Sequence, residues 1–286
     1  MTDVALPPNV KAAIKCGSLP RIRNWRSLPV SELTRAERNM KFVETYAVVP
    51  EGPLVGQPIR LATFQEAFFY SVYDNEVMTK KAILSMARKN SKTATIACIV
   101  LVHTVGPESK LNSRINSGAR SREQAAEVYN YASKMVALSP KLQKICRLVP
   151  SAKRIIGLPM NVEYRALAAE GKTSHGGSPV VAIVDEAGQI KGPQDDFYDG
   201  LTTGQGAYDD ALLIIISTQA PTDGDLLSIE IDDAIRSQDP SIVLHLYEAP
   251  ADADLLDRDA WAMANPAMGL FRSEKDIETQ AQKAER

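Results

Sequence analysis

Three largely apolar runs constrain this chain more than any other feature: VVAIV (180–184), ALLIII (211–216) and SIVLHL (241–246), the last interrupted by His245. None alternates apolar with polar residues, so none is a strand with one wet face. Strands of this kind are covered on both sides, as in parallel sheets. The first two stop abruptly in polar residues, Asp185-Glu186 and Ser217-Thr218-Gln219. KKAILSM (80–86) reads as a further strand, SRINSGA (113–119) as a weak one, and RIIGLPMNVEYRALAA (154–169) as two short ones. Helical segments alternate with them. QEAFFYSVYD (65–74) is one, and SKTATIACIVLVHTV (91–105), apolar nearly all round, is a buried second. Ser121 with Gln124 forms a possible capping box for a third, running to about Ala137. Strands alternating with helices predict an α/β fold with a mostly parallel sheet flanked by helices.

Composition mainly excludes. The 33 basic and 35 acidic residues leave a net charge of −2, so no bulk basic charge advertises nucleic-acid binding. Cys16, Cys98 and Cys146 are far apart, and His103, His175 and His245 have no metal-ligand spacing. Neither a disulfide framework nor a zinc site is expected. The start of the chain lacks the apolar core of a secretory signal, and no apolar stretch approaches the ~20 residues of a membrane span. The chain reads as soluble and intracellular. Residues 1–41 carry eight basic residues against three acidic, including Trp25 within RIRNWR. They read as a basic N-terminal arm, either solvated or touching phosphate. A Gly/Pro-rich lead-in follows over 42–65, and beyond Pro250 the chain turns acidic, with nine acids against five bases over 248–286.

The chemistry concentrates at strand ends. In ILSMARKNSKT (83–93) an apolar strand enters a polar loop that opens directly into a helix. A phosphate-binding loop reads G-x-x-x-x-G-K-S/T, and here Met86 and Ser91 stand where its two glycines belong. The mechanics survive the substitutions. Backbone N–H groups of Ala87, Arg88, Lys89, Asn90 and Ser91 can cradle phosphate oxygens at the helix N-terminus. Lys92 can reach the β- and γ-phosphates, Thr93 can ligate Mg²⁺, and the Arg88 and Lys89 side chains add positive charge. A second GKT, at Gly171-Lys172-Thr173, lacks a preceding strand and a following helix and reads as a loop. Asp185 at its strand end is placed to hold Mg²⁺, and Glu186 to act as general base toward water. Ser217, Thr218 and Gln219 end the next buried strand at the edge where ligands of parallel sheets sit, and can sense a γ-phosphate. Gln65 in LATFQEAFF is a candidate reader of adenine, by the bidentate pairing an amide makes with that base.

The order of these elements resembles the large terminase subunit of tailed bacteriophages, the ATPase that drives DNA into a procapsid. The likeness rests on PEGPLVGQPIRLATFQ (50–65), ARKNSKT (87–93), SREQAAEVYNYA (121–132), AIVDE (182–186), YDGLTTGQGA (198–207) and Trp261 with Asn265-Pro266. It implies a P-loop NTPase fold of the additional-strand, catalytic-Glu type over residues 42–250, with 251–286 the start of a linker toward a nuclease domain. It implies ATP and Mg²⁺ as cofactors, with Glu186, Asp185, Lys92 and Arg88 catalytic and Thr93 and Asp185 on the metal. Gln65 and residues 87–93 would bind nucleotide, and Ser217, Thr218 and Gln219 would couple hydrolysis to motion. The implied partners are double-stranded phage DNA, a portal protein, a small terminase subunit and further copies of the chain in a ring. The implied location is the bacterial cytoplasm, transiently at the procapsid portal vertex, with no membrane.

Three departures accompany the likeness. Ser91 adds a Cβ where the backbone meets phosphate. Tyr208 follows GQGA where similar sequences often carry Arg, leaving Arg88, Arg120, Arg122 and Lys172 as candidates for the basic residue lent to a neighbour's γ-phosphate. The acids Asp252, Asp254, Asp257 and Asp259 read as a helix N-terminal segment rather than a nuclease centre, so DNA cleavage is not expected from this stretch. The alternative is an inactive prophage remnant, a nucleotide-binding module without turnover.

Overall fold

The computed structural model describes residues 6–16, 22–168 and 177–285. Helix α1 (Pro8–Cys16) precedes α2 (Arg35–Tyr46) and α3 (Thr63–Tyr73). Strand β1 (Lys81–Ser85) leads through a loop into α4 (Lys92–Val105), then β2 (Arg114–Ala119) and α5 (Arg122–Leu138). A short α6 (Pro140–Gln143) introduces β3 (Cys146–Val149), β4 (Arg154–Gly157) and β5 (Val162–Ala168). Next come β6 (Val181–Asp185), α7 (Asp196–Thr203), β7 (Leu212–Ser217), α8 (Leu226–Ser237) and β8 (Ile242–Leu246). Helices α9 (Arg258–Ala264) and α10 (Glu274–Glu285) follow.

The strands form one eight-stranded sheet in the order β3-β4-β5-β2-β6-β7-β1-β8. From β5 to β8 every pairing is parallel; only β3 and β4 enter antiparallel, at one edge. Strand β7 lies between β1 and β6, pairing Ser85 with Ser217 on one side and Ile216 with Asp185 on the other. The ends of three strands are therefore brought side by side.

Burial on both faces explains the runs in β6 and β7, whereas β8, at the sheet's edge, buries Val243 and His245 and leaves Ile242, Leu244 and Leu246 half-buried. Alternate residues of β7 point opposite ways: Leu212, Ile214 and Ile216 join the larger core, while Leu213 and Ile215 join the smaller one. Strand β6 divides likewise, with Val181 and Ile183 on one face and Ala182 and Val184 on the other. Helices α2–α5 supply the larger core, and α7 and α8 the smaller. The all-round apolar α4 is explained too, since residues 95–104 of it are buried without a break.

Two expectations change. Residues 22–41 are not an arm apart from the domain, and the boundary expected at residue 41 falls inside α2. Trp25 is fully buried in the larger core, and its indole N–H donates to Glu66 Oε1 at 3.2 Å. The arginines are held by buried acids: Arg23 pairs with Glu37 at 2.6 Å, and Arg26 with Glu44 at 2.5 Å and Glu66 at 2.7 Å. Positive charge that looked available for phosphate instead neutralises carboxylates that burial would otherwise penalise. The second change concerns α5. Ser121 caps it by accepting from the Gln124 N–H, but the Gln124 amide reaches Gln189 at 2.7 Å, so the box is only half made.

Candidate active site

The loop between β1 and α4 curls where a side chain is least welcome. Lys89 and Ser91 both sit in the left-handed region, with φ of 64° and 65°. An L-residue there brings Cβ against backbone oxygen, which is why the position before the lysine is ordinarily glycine. Ser91 accepts that conformation without a compensating cap bond from its hydroxyl. Its carbonyl is gripped instead, by the Thr95 N–H at 3.0 Å and the Thr95 hydroxyl at 2.9 Å.

Lys92 is buried and turned back on its own loop. Its Nζ donates to Met86 O at 2.8 Å and Ala87 O at 3.2 Å. Burial holds its pKa below the ordinary lysine value, against the opposing pull of the Glu186 and Asp185 charges. Thr93 is half-buried in the first turn of α4, while Arg88 and Lys89 are exposed at the loop's tip. Lys89 lies 3.4 Å from Asp276 of α10.

Across β7 stand the two acids. Asp185 is buried at the end of β6, and its Oδ1 accepts the Glu186 N–H at 2.8 Å. Burial, then the neighbouring Glu186 charge, pushes the Asp185 carboxyl up to about 7. Glu186 adopts φ 52°, ψ 40°, another left-handed residue, at the point where its side chain must leave the strand. Its Oε2 is buried and has no hydrogen-bond partner. An unpartnered buried carboxylate oxygen is costly, and such groups collect at functional sites.

Ser217 ties the two walls together. Its carbonyl accepts the Met86 N–H at 3.2 Å, at the start of the phosphate loop. Its hydroxyl accepts the Gly188 N–H at 2.8 Å, just past the acids. Thr218 and Gln219 continue into a cavity of about 900 Å³, lined also by Met86, Ala87 and Tyr247. The Gln219 amide lies 3.5 Å from Glu248.

Some anticipated residues are placed otherwise. Gln65 is buried in the first turn of α3, where its Oε1 accepts the Ala62 N–H and its Nε2 donates to the Thr95 hydroxyl at 2.7 Å. Its amide joins α3 to α4 in this structure. Tyr208 precedes β7 at the amino edge of the sheet, opposite the phosphate loop, with Lys110 Nζ 5.9 Å from its ring centre. Of the candidate lent basic residues, Arg120 is exposed beyond β2, 3.5 Å from Gln189 O. Lys172 and the second GKT lie outside the described residues, as does the Arg122 side chain.

Sequence reasoning missed one connection altogether. Asn90, which is 1% exposed, donates to Ala87 O, Arg88 O and Asn265 Oδ1, and its own Oδ1 accepts the Ala267 N–H. The Ala87 N–H in turn donates to Ala264 O at 3.3 Å. The Asn-Pro pair at 265–266 was visible as a motif, but nothing in the sequence showed which loop it meets.

A phosphate loop and an acid-tipped strand, separated by one inserted strand with a glutamate at hand, define the P-loop NTPase fold of the additional-strand, catalytic-Glu type. The sequence matches the family "Terminase large subunit, ATPase domain" over residues 63–234, and the chain belongs to that family. It is 61% identical over 254 residues to the large terminase subunit of Enterobacteria phage HK97, a match covering 89% of this chain and 50% of that protein. The crystal structure of the HK97 bacteriophage large terminase matches with a TM-score of 0.85 at 60% identity, over 89% of this chain and 52% of that one. The chain thus spans about half the length of the relative.

The residues present fit Mg²⁺ and a nucleoside triphosphate. Lys92 spends its donors on its own loop carbonyls, and Asp185 and Glu186 face it with one carboxyl pushed toward neutrality and one oxygen unpartnered. A divalent cation and phosphate oxygens would supply what both sides lack. Among the described residues no group of three or more His, Cys, Asp and Glu could hold a metal alone.

Proposed function

We propose that this chain hydrolyses ATP in a Mg²⁺-dependent reaction, as the ATPase part of a motor that drives double-stranded phage DNA into a procapsid. The observation that carries the reading is the buried, unpartnered Glu186 Oε2, one strand away from a phosphate-loop lysine whose hydrogen-bond partners among the described residues are carbonyls of its own loop. Lys92 exchanges Met86 O and Ala87 O for the β- and γ-phosphates. Thr93 and Asp185 would hold Mg²⁺, which would supply positive charge beside the phosphates. Glu186 Oε2 takes the proton from the attacking water, a role that its lack of another partner leaves open. Ser217 touches both the loop and the acids' turn, so a change at the γ-phosphate reaches β7 directly. In this reading Arg88 adds charge beside the phosphates, and the ring neighbour, portal protein and small terminase subunit complete the machine. The place of action would be the bacterial host cytoplasm, and no helix of the described residues is long and apolar enough to cross a membrane. Cleavage of DNA is not assigned to this stretch.

The test is ATP turnover per subunit against protein concentration, with and without Mg²⁺, for the parent and Glu186→Ala. Turnover that rises with concentration, needs Mg²⁺ and vanishes in the variant supports a motor whose subunits complete each other's sites. Nucleotide binding without turnover in the parent would leave a binding module. Turnover unchanged in Glu186→Ala would overturn the assignment of the base.

A further inference from the structure

Resting on that reading, we infer that Asn265 positions the phosphate loop through Asn90, so that nucleotide affinity and the docking of residues 258–276 form one coupled equilibrium. Ala87 is the meeting point. Its carbonyl accepts from both Lys92 Nζ at 3.2 Å and Asn90 Nδ2 at 3.1 Å, and its N–H donates to Ala264 O at 3.3 Å. Asn90 spans the loop from inside by holding the carbonyls of Ala87 and Arg88 at once. Its own orientation comes from the C-terminal segment, through Asn265 Oδ1 at 2.9 Å and the Ala267 N–H at 3.1 Å. Asn265 is fixed in turn, because it caps α9 and its Nδ2 donates to Trp261 O one turn back in that helix.

The same segment is held at two more points. On the loop itself Lys89 faces Asp276, which Arg272 also pairs with, and away from the loop Phe271 packs near Phe64 of α3 with ring centres 6.2 Å apart. The sign of the coupling follows from Lys92. When Lys92 turns to phosphate, Ala87 O loses one of its two side-chain donors. Asn90 then carries that carbonyl, and its hold matters more with nucleotide present than without. A segment that orients Asn90 therefore favours the nucleotide-bound loop, and nucleotide must favour the docked segment to the same degree.

The experiment measures the Kd of MgADP for the parent, Asn265→Leu, Asn90→Ala and the double variant, with a thermal melt of each. Asn265→Leu is expected to weaken binding roughly five- to tenfold, the loss of one or two hydrogen bonds. The double variant is expected to be no weaker than Asn90→Ala alone, since both substitutions cut one connection. A purely structural Asn265 would lower the melting temperature and leave Kd untouched, and that result overturns the inference. So does a double variant whose losses multiply. If the parent itself binds no MgADP, the ATPase reading fails instead, which separates the two. Hydrogen exchange on the parent needs no variant to fold: MgADP should increase protection over 261–268, including the Ala267 amide. Unchanged protection there, with ADP bound, refutes the coupling.

Discussion

Replacing Ser91 with glycine should make the protein more stable, although it removes a side chain from a helix N-terminus. Ser91 sits at φ 65°, ψ 24°, and its hydroxyl caps nothing. For an L-residue that conformation costs about 1–2 kcal/mol. Glycine adopts it without strain but loses roughly 0.5–1 kcal/mol more chain entropy on folding. The difference leaves about 0.5–1 kcal/mol in favour of Ser91→Gly, or a rise in Tm of roughly 1–4 °C at this chain length. The Thr95 bonds to the backbone carbonyl at 91 are kept by any residue, so nothing is lost in exchange. The assay is differential scanning calorimetry of the parent, Ser91→Gly and Ser91→Ala without nucleotide. Ser91→Ala keeps the Cβ and the strain and should melt with the parent. A glycine variant that melts at or below the parent, or an alanine variant clearly below it, would refute the backbone argument and give the hydroxyl a role. MgADP binding is expected to tighten in the glycine variant, because the Cβ beside the phosphate path is gone.

Gly188→Ala should slow turnover sharply while the protein stays folded. Its Cβ would lie 2.6 Å from Thr218 O and 2.8 Å from Ser217 Oγ, and a backbone oxygen cannot swing away, so the turn carrying Glu186 must move; steady-state kinetics with a circular dichroism control checks this. Gly118→Ala should destabilise by about 1–3 kcal/mol in urea titration through overpacking, since its Cβ would come 2.0 Å from Phe197 Cζ; an unchanged midpoint would show that Phe197 turns aside at no cost. Stability should also fall on acidification. His103 and His245 are buried and held down to about 4 and about 3 from the ordinary 6.5. The unfolded chain takes up these protons below about 6.5 and the fold does not, so each histidine's contribution is whole above 6.5 and is lost toward pH 4 and 3. The slope reaches about 1.4 kcal/mol per pH unit for each. Asp185, raised to about 7, works in the opposite direction between 4 and 7. Comparing urea midpoints of the parent and His245→Gln from pH 7 to 5 isolates one histidine; equal slopes would contradict its burial as a neutral group.

Much of this protein was fixed by residue order alone. The runs at 180–184 and 211–216 could only be doubly covered strands, because no position along them tolerates water, and they form neighbouring central strands of the sheet. Where those runs end in acids or hydroxyls, and where SKT opens a helix, the placement of these residues was legible because polar residues at the carboxyl edge of a buried strand have few places to point. Strand β3 was not legible: CRLV is four residues long and owes its extension to pairing with β4. The N-terminal arginines misled for a related reason. Charge is counted along the chain, but its meaning depends on partners that only folding supplies, and here Glu37, Glu44 and Glu66 approach from two different helices. That the Gln65 amide meets Thr95 of α4 was likewise invisible until α3 packed against α4. The same holds for Asn90 and Asn265, 175 positions apart and joined at 2.9 Å. Periodicity and strand-end chemistry are local, so the sequence carries them. Which polar group satisfies which depends on close packing of distant segments, and that was decided only in three dimensions.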